Sequence, residues 1–138
     1  MTVASAKKSE ITAMGATLLK KGCSFRVWAP FAEEVSVIGS FNNFTPGQNP
    51  LHRDESGHWS GVVEKAKVGD EYRYHIRNGE KELSRIDPYA KEVTNSVGNG
   101  VIYDPGSFDW GQDEEYAGLG PFNELVIYEM HIGTFQDS

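Results

Sequence analysis

Apolar and polar positions alternate in short runs along most of this chain, and turn residues break the runs. A period of two sends successive side chains to opposite faces, so each run predicts a half-buried strand. Residues 16–19 form the first run, and Lys20-Lys21-Gly22 turns it into a second over 23–28. Ala29-Pro30-Phe31-Ala32 then interrupts, because proline has no amide to give to a ladder. A third strand is predicted over 35–39. It ends in Ser40-Phe41-Asn42-Asn43-Phe44, followed by a loop with Pro46 and Gly47 at turn positions.

Further strands are predicted over 51–53 and 58–63, on either side of Asp54-Glu55-Ser56-Gly57. Residues 71–77 alternate cleanly, with Tyr72, Tyr74 and Ile76 on one face. Asn78-Gly79 predicts a type I′ hairpin with positive φ at both residues, and 80–83 is the return strand. Residues 85–90 are irregular, and a last strand covers 101–103. Short strands at this spacing predict an all-β sandwich. Trp28 and Trp59 lie inside alternating strands and are expected in its core, whereas Trp110 is expected to anchor a loop.

A length of 138 residues gives one domain a real core, with room for a short appendage. The net charge is −7 and no basic stripe exists, which argues against nucleic acid and against an anionic membrane surface. The first fourteen residues lack the apolar stretch of a secretory signal or a membrane helix. Cys23 is the single cysteine, so no internal disulfide forms; a buried, inert thiol in a cytoplasmic protein is expected. His52, His58, His75 and His131 show no metal-ligand spacing. Gly98-Asn99-Gly100 lacks the third glycine and the helix of a nucleotide fingerprint. Neither a metal nor a cofactor is expected.

Three words in the chain carry a family resemblance. Val27-Trp28-Ala29-Pro30 followed by Gly39-Ser40-Phe41-Asn42-Asn43-Phe44, and then Asp87-Pro88-Tyr89-Ala90, resemble the N-terminal module of glucan-active enzymes of the alpha-amylase superfamily. That module is carbohydrate-binding module family forty-eight, and the resemblance is strongest to glycogen branching enzymes. It implies an immunoglobulin-like β-sandwich. Leu125-Val126-Ile127-Tyr128 is a continuous apolar run of the kind buried on both faces of a parallel sheet. The word 128–135, Y-E-M-H-I-G-T-F, resembles the first strand of that superfamily's (β/α)8 barrel, which needs about 250 residues in full. The implied division is a flexible leader over 1–15, the sandwich over 16–111, a linker over 112–123, and the first strand of a missing barrel over 124–138.

The superfamily's two catalytic carboxylates stand on later barrel strands, so no catalytic residue is assigned and the chain is expected to be inert. The candidate site is for carbohydrate: Phe44, with Asn42 and Asn43 beside it. Aromatic faces pack on the C–H faces of sugars, and amides both donate to and accept from hydroxyls. In glycogen-binding members the aromatic matching Phe44 is commonly tryptophan, and a second tryptophan follows the hairpin; here Glu80, Lys81 and Glu82 stand there. One aromatic contact, worth about 0.5–1.5 kcal/mol, rarely offsets the ordering of a flexible glucan. A loop aromatic that caps the sandwich or meets the barrel is therefore the weightier reading of Phe44.

The resemblance implies a non-catalytic module of a branching enzyme, which moves an alpha-1,4-linked chain to a 6-hydroxyl, with alpha-glucan and the missing barrel as partners. Two alternatives stay open. One is the same module in a hydrolase of the alpha-amylase, isoamylase or trehalohydrolase type. The other is a free-standing glycogen-binding interaction domain. The apolar strand, unpartnered in this chain, is also expected to promote self-association through 124–135.

Overall fold

The computed structural model describes residues 11–109, 111 and 118–129. They fall into two units, one up to Gly106 and one from Ser107 onward. The first holds nine strands in two antiparallel sheets: β1 (Gly15–Leu18), β2 (Cys23–Trp28), β3 (Glu34–Gly39), β4 (His52–Arg53), β5 (His58–Val63), β6 (Glu71–Asn78), β7 (Lys81–Arg85), β8 (Glu92–Val93) and β9 (Gly100–Val101). One sheet has the order β1-β2-β5-β4. The other runs β3-β6-β9-β8, with β7 also on β6. The expected all-β sandwich is the observed fold.

Alternation does what the pattern predicted in the central strands. Cys23, Phe25 and Val27 of β2, Trp59 and Val63 of β5, Val35 and Val37 of β3, and Tyr72 and Tyr74 of β6 form one buried cluster. Phe25 meets Tyr72 edge-on at 5.1 Å, and Tyr72 meets Tyr74 edge-on at 6.1 Å. Cys23 lies inside, and burial pushes its thiol up to about 12, which makes it inert.

Four expectations need correction. Trp28 is exposed rather than in the core: it alternates with Val27, so it takes the outer face of its sheet. The β6–β7 hairpin turns one residue later than Asn78-Gly79. Asn78 stays in the ladder opposite Lys81, and the two-residue loop is Gly79-Glu80. Only Gly79 has positive φ, as a turn with glycine at its first central position requires. Both faces of β3 are buried, Ser36 and Ile38 included. The chain after Pro46 returns along its edge, where Val37 N–H donates to Asn49 and Leu51 N–H to the Val35 carbonyl. The last strand stops at Val101, because Ile102 turns to pair its backbone with Gly69 and Asp70.

Two polar clusters hold the irregular segments. Asp87 is 3% exposed. Tyr72 Oη donates to its Oδ2 at 2.6 Å and Tyr74 Oη to the same oxygen at 3.3 Å, while Tyr89 N–H donates to Oδ1 at 2.9 Å. At the β4–β5 turn, Asp54 Oδ1 accepts from Ser56 Oγ and from the N–H groups of Ser56 and His58. Trp110, and the linker residues 112–117, lie outside the described residues. In the second unit, Phe122–Glu124 forms one 3-10 turn. Leu125 leaves it extended, and 125–129 joins no ladder among the described residues.

Two outcomes follow. Tyr72→Phe removes a donor from a buried carboxylate and should cost about 1.5–3 kcal/mol, seen as a lower urea midpoint at unchanged m-value. Asp54 is held down to about 2 from its ordinary 3.8, first by the Ser56 hydroxyl and then by the His58 and Ser56 N–H groups. Its folded value is the lower one, so the stability it contributes is complete above pH 3.8 and is lost as pH falls towards 2. Asp54→Asn should flatten that part of the acid-unfolding profile.

Candidate functional site

Gly39 ends β3, and Ser40–Asn42 makes one 3-10 turn. The turn is fixed from below. The Phe41 ring packs against Phe25 of the core at 6.0 Å. Gly39 leaves it room, since a Cβ there would come within 2.7 Å of that ring. Asn42 is 8% exposed. Its Oδ1 accepts the Gly39 N–H at 2.9 Å, and its Nδ2 donates to the Val37 carbonyl at 3.0 Å and to Asn49 Oδ1 at 2.7 Å. Both donors and the oxygen of Asn42 are therefore engaged inside the chain.

The next two residues are lifted into solvent. Asn43 and Phe44 both adopt left-handed backbone, φ 53° and 52°. Asparagine tolerates that region; phenylalanine pays about 1–2 kcal/mol there. The strain is held by hydrogen bonds on either side, Phe44 N–H to the Gly39 carbonyl at 2.9 Å and Thr45 N–H to the Asn42 carbonyl at 3.1 Å. Phe44 remains 36% exposed and Asn43 is exposed. Strain kept on an exposed aromatic by a rigid surround is a pattern that clusters at binding sites.

Beside the turn lies a cleft of about 410 Å³, walled by Phe41, Asn42, Gln48, Asn49, Val62 and Lys65 among others. Asn43 and Phe44 are outside its wall. The structure thus brings the three predicted residues onto one turn but divides their work: Asn42 is scaffold, while Asn43 and Phe44 face solvent. Gln48 and Asn49 were not singled out from sequence. Their amides in a Pro/Gly loop were the available signal. Among the described residues, no cluster of three His, Cys, Asp or Glu side chains fits a metal ion. No described helix is long and apolar enough to cross a membrane. Tyr72 and Tyr74 are core rather than exposed.

A two-sheet sandwich with an aromatic held out on a rigid turn is an architecture suited to carbohydrate binding. Residues 13–90 match carbohydrate-binding module 48, the isoamylase N-terminal domain, and the chain belongs to that family. It is 38% identical to the 1,4-alpha-glucan branching enzyme GlgB of Salinibacter ruber, over 89% of this chain and 21% of that enzyme. It is 32% identical to GlgB of Aquifex aeolicus, over 85% of this chain and 20% of that one. The chain spans about a fifth of the length of these curated relatives. Among solved structures it resembles a mutant pullulanase from Paenibacillus barengoltzii complexed with maltotetraose, with a TM-score of 0.65 and 30% identity, over 77% of this chain and 17% of that one. It also resembles pullulanase type I from Bacillus subtilis complexed with maltose, with a TM-score of 0.64 and 30% identity, over 82% of this chain and 15% of that one.

Asn42→Ala should leave the Gly39 N–H and the Val37 carbonyl without their partner and destabilise the domain by about 1–3 kcal/mol in urea unfolding. Asn43→Gly should be neutral or slightly stabilising in the same assay, because glycine enters the left-handed region without penalty.

Proposed function

We propose that this chain is the glucan-binding, non-catalytic N-terminal module of an alpha-glucan-active enzyme, in first place a 1,4-alpha-glucan branching enzyme. The observation that carries the reading is Phe44, an aromatic kept exposed and backbone-strained on a turn that the core locks. Its family and its resemblance to branching enzymes support the alpha-glucan class of ligand. Phe44 stacks on a glucose ring, Asn43 serves its hydroxyls, and Asn42 acts indirectly by holding both. The module spans 16–111. The exposed apolar residues Val126, Ile127 and Tyr128 belong to a strand that a catalytic barrel would complete, and through which isolated copies self-associate. A cytoplasmic setting keeps the lone thiol reduced. The pullulanase matches favour a second reading, the same module in a debranching hydrolase.

The test is affinity electrophoresis in gels with and without glycogen. The wild-type chain should be retarded, and Phe44→Ala should lose most of the retardation while migrating normally without glycogen. No retardation at any workable glycogen load would leave a structural partner of the barrel and remove the binding role.

A further inference from the structure

Trp28 ends β2 and is 59% exposed on the outer face of its sheet. Its indole N–H donates to the Ser56 carbonyl at 3.3 Å. A ring tied at one edge has little rotamer freedom left to lose when a ligand stacks on its face. The turn that follows is pinned as firmly. Ala32 N–H donates to the Ala29 carbonyl at 3.1 Å, which puts Pro30 and Phe31 at the tip. Ala29 N–H donates to the Gly57 carbonyl at 3.0 Å. Arg53 donates to the Pro30 carbonyl at 2.9 Å, and Asn78 Nδ2 to the Phe31 carbonyl at 2.7 Å. Gly57, at φ +85°, sits so close that a Cβ would come within 2.9 Å of Pro30 Cα. Phe31, at the tip, is 84% exposed.

Two large rings are thus held in water by backbone that is clamped on every side. Polar groups rim them. His58 stands directly opposite Trp28 in the ladder. Its Nδ1 meets Ser56 Oγ at 2.9 Å, and its Nε2 has no partner among the described residues. Arg53 stands opposite core Trp59, on the other side of the sheet from Trp28, and its contact here is the Pro30 carbonyl at the tip. Rigid aromatic faces among free donors and acceptors suit the apolar faces and hydroxyl edges of a sugar. A protein-docking face would be a wider continuous apolar patch than a Trp28 ring flanked by Ser56 and His58.

We propose that Trp28, with His58 beside it on the same face and Phe31 at the adjoining tip, forms a second alpha-glucan platform separate from Phe44. The proposal rests on the glucan-binding reading above. The two platforms flank the two ends of β3, whose six residues at ~3.3 Å each set them about 20 Å apart. A short maltooligosaccharide meets one platform at a time, whereas branched glycogen engages both and gains by multivalency.

The test follows the tryptophan indole N–H signals of the 15N-labelled chain by NMR during titration with maltoheptaose, with the Trp28 signal assigned by Trp28→Phe. The Trp28 signal should shift saturably in the wild-type chain and equally in Phe44→Ala. In glycogen gels, Trp28→Ala and Phe31→Ala should each weaken retardation about threefold to tenfold, additional to the effect of Phe44→Ala. If backbone signals around Phe44 move while Trp28 stays still, the second platform is overturned and the first survives. If neither region moves at millimolar maltoheptaose, both fall. A Trp28 signal that shifts with protein concentration and not with sugar would make this face a self-association contact and would also overturn the proposal.

Discussion

The buried carboxylate of Asp87 is the constraint around which this sandwich closes. A lone charge in a core is costly, and removing one partner from a paired one is strongly destabilising. Here Tyr72 and Tyr74, neighbours on one face of β6, both aim their hydroxyls at one carboxylate oxygen, and the Tyr89 N–H takes the other. Burial raises the Asp87 pKa, and these hydrogen bonds offset only part of that rise. Burial, and then the charge of Asp87, push both tyrosine hydroxyls far above their ordinary range, so they remain donors throughout. The irregular chain after β7 is thereby tied to the centre of the fold. β1 passes close to it as well: a Cβ at Gly15 would lie 3.3 Å from the same carboxylate.

From that centre a continuous contact path leads to the candidate site. Tyr72 packs on Phe25, Phe25 on Phe41, and Phe41 opens the turn that Asn42 locks. The exposed Phe44 is thus three residues from a core aromatic. Rigidity of this kind lowers the ordering cost of binding, which is the main obstacle to a site with few contacts. It also gives Asn42 and Phe44 opposite roles within one word of sequence. One is buried and saturated; the other is strained and open.

Strand positions were legible because burial on one face imposes a period of two. The elements over 23–28 and 58–63 were found with their observed bounds. Other features depended on partners that a local pattern does not contain. Ser36, for example, meets the chain after Pro46 as it runs back along β3, and its hydroxyl accepts the Gly47 N–H. The shift of the hairpin to Gly79-Glu80 comes with Asn78 pairing Lys81 and giving its amide to Phe31. The two-residue strand β8 is too short to show any period.

By itself the sequence determined the all-β class, most strand positions, the core role of Tyr72, Tyr74 and Trp59, and the word that bears the candidate site. These follow from local chemistry, namely periodicity, proline's missing amide, and aromatic and amide side chains placed together. Only the tertiary structure decided that Asn42 faces inward, that Phe44 takes a left-handed backbone, that Trp28 faces water and that Asp87 is the buried anchor. The Asp87 anchor depends on tyrosines more than ten residues away. The turn that holds Asn42 and Phe44, though bonded locally, is seated by Phe41 packing on Phe25 of another strand. Which face of β2 meets the core, and so leaves Trp28 in water, is likewise set by the facing sheet.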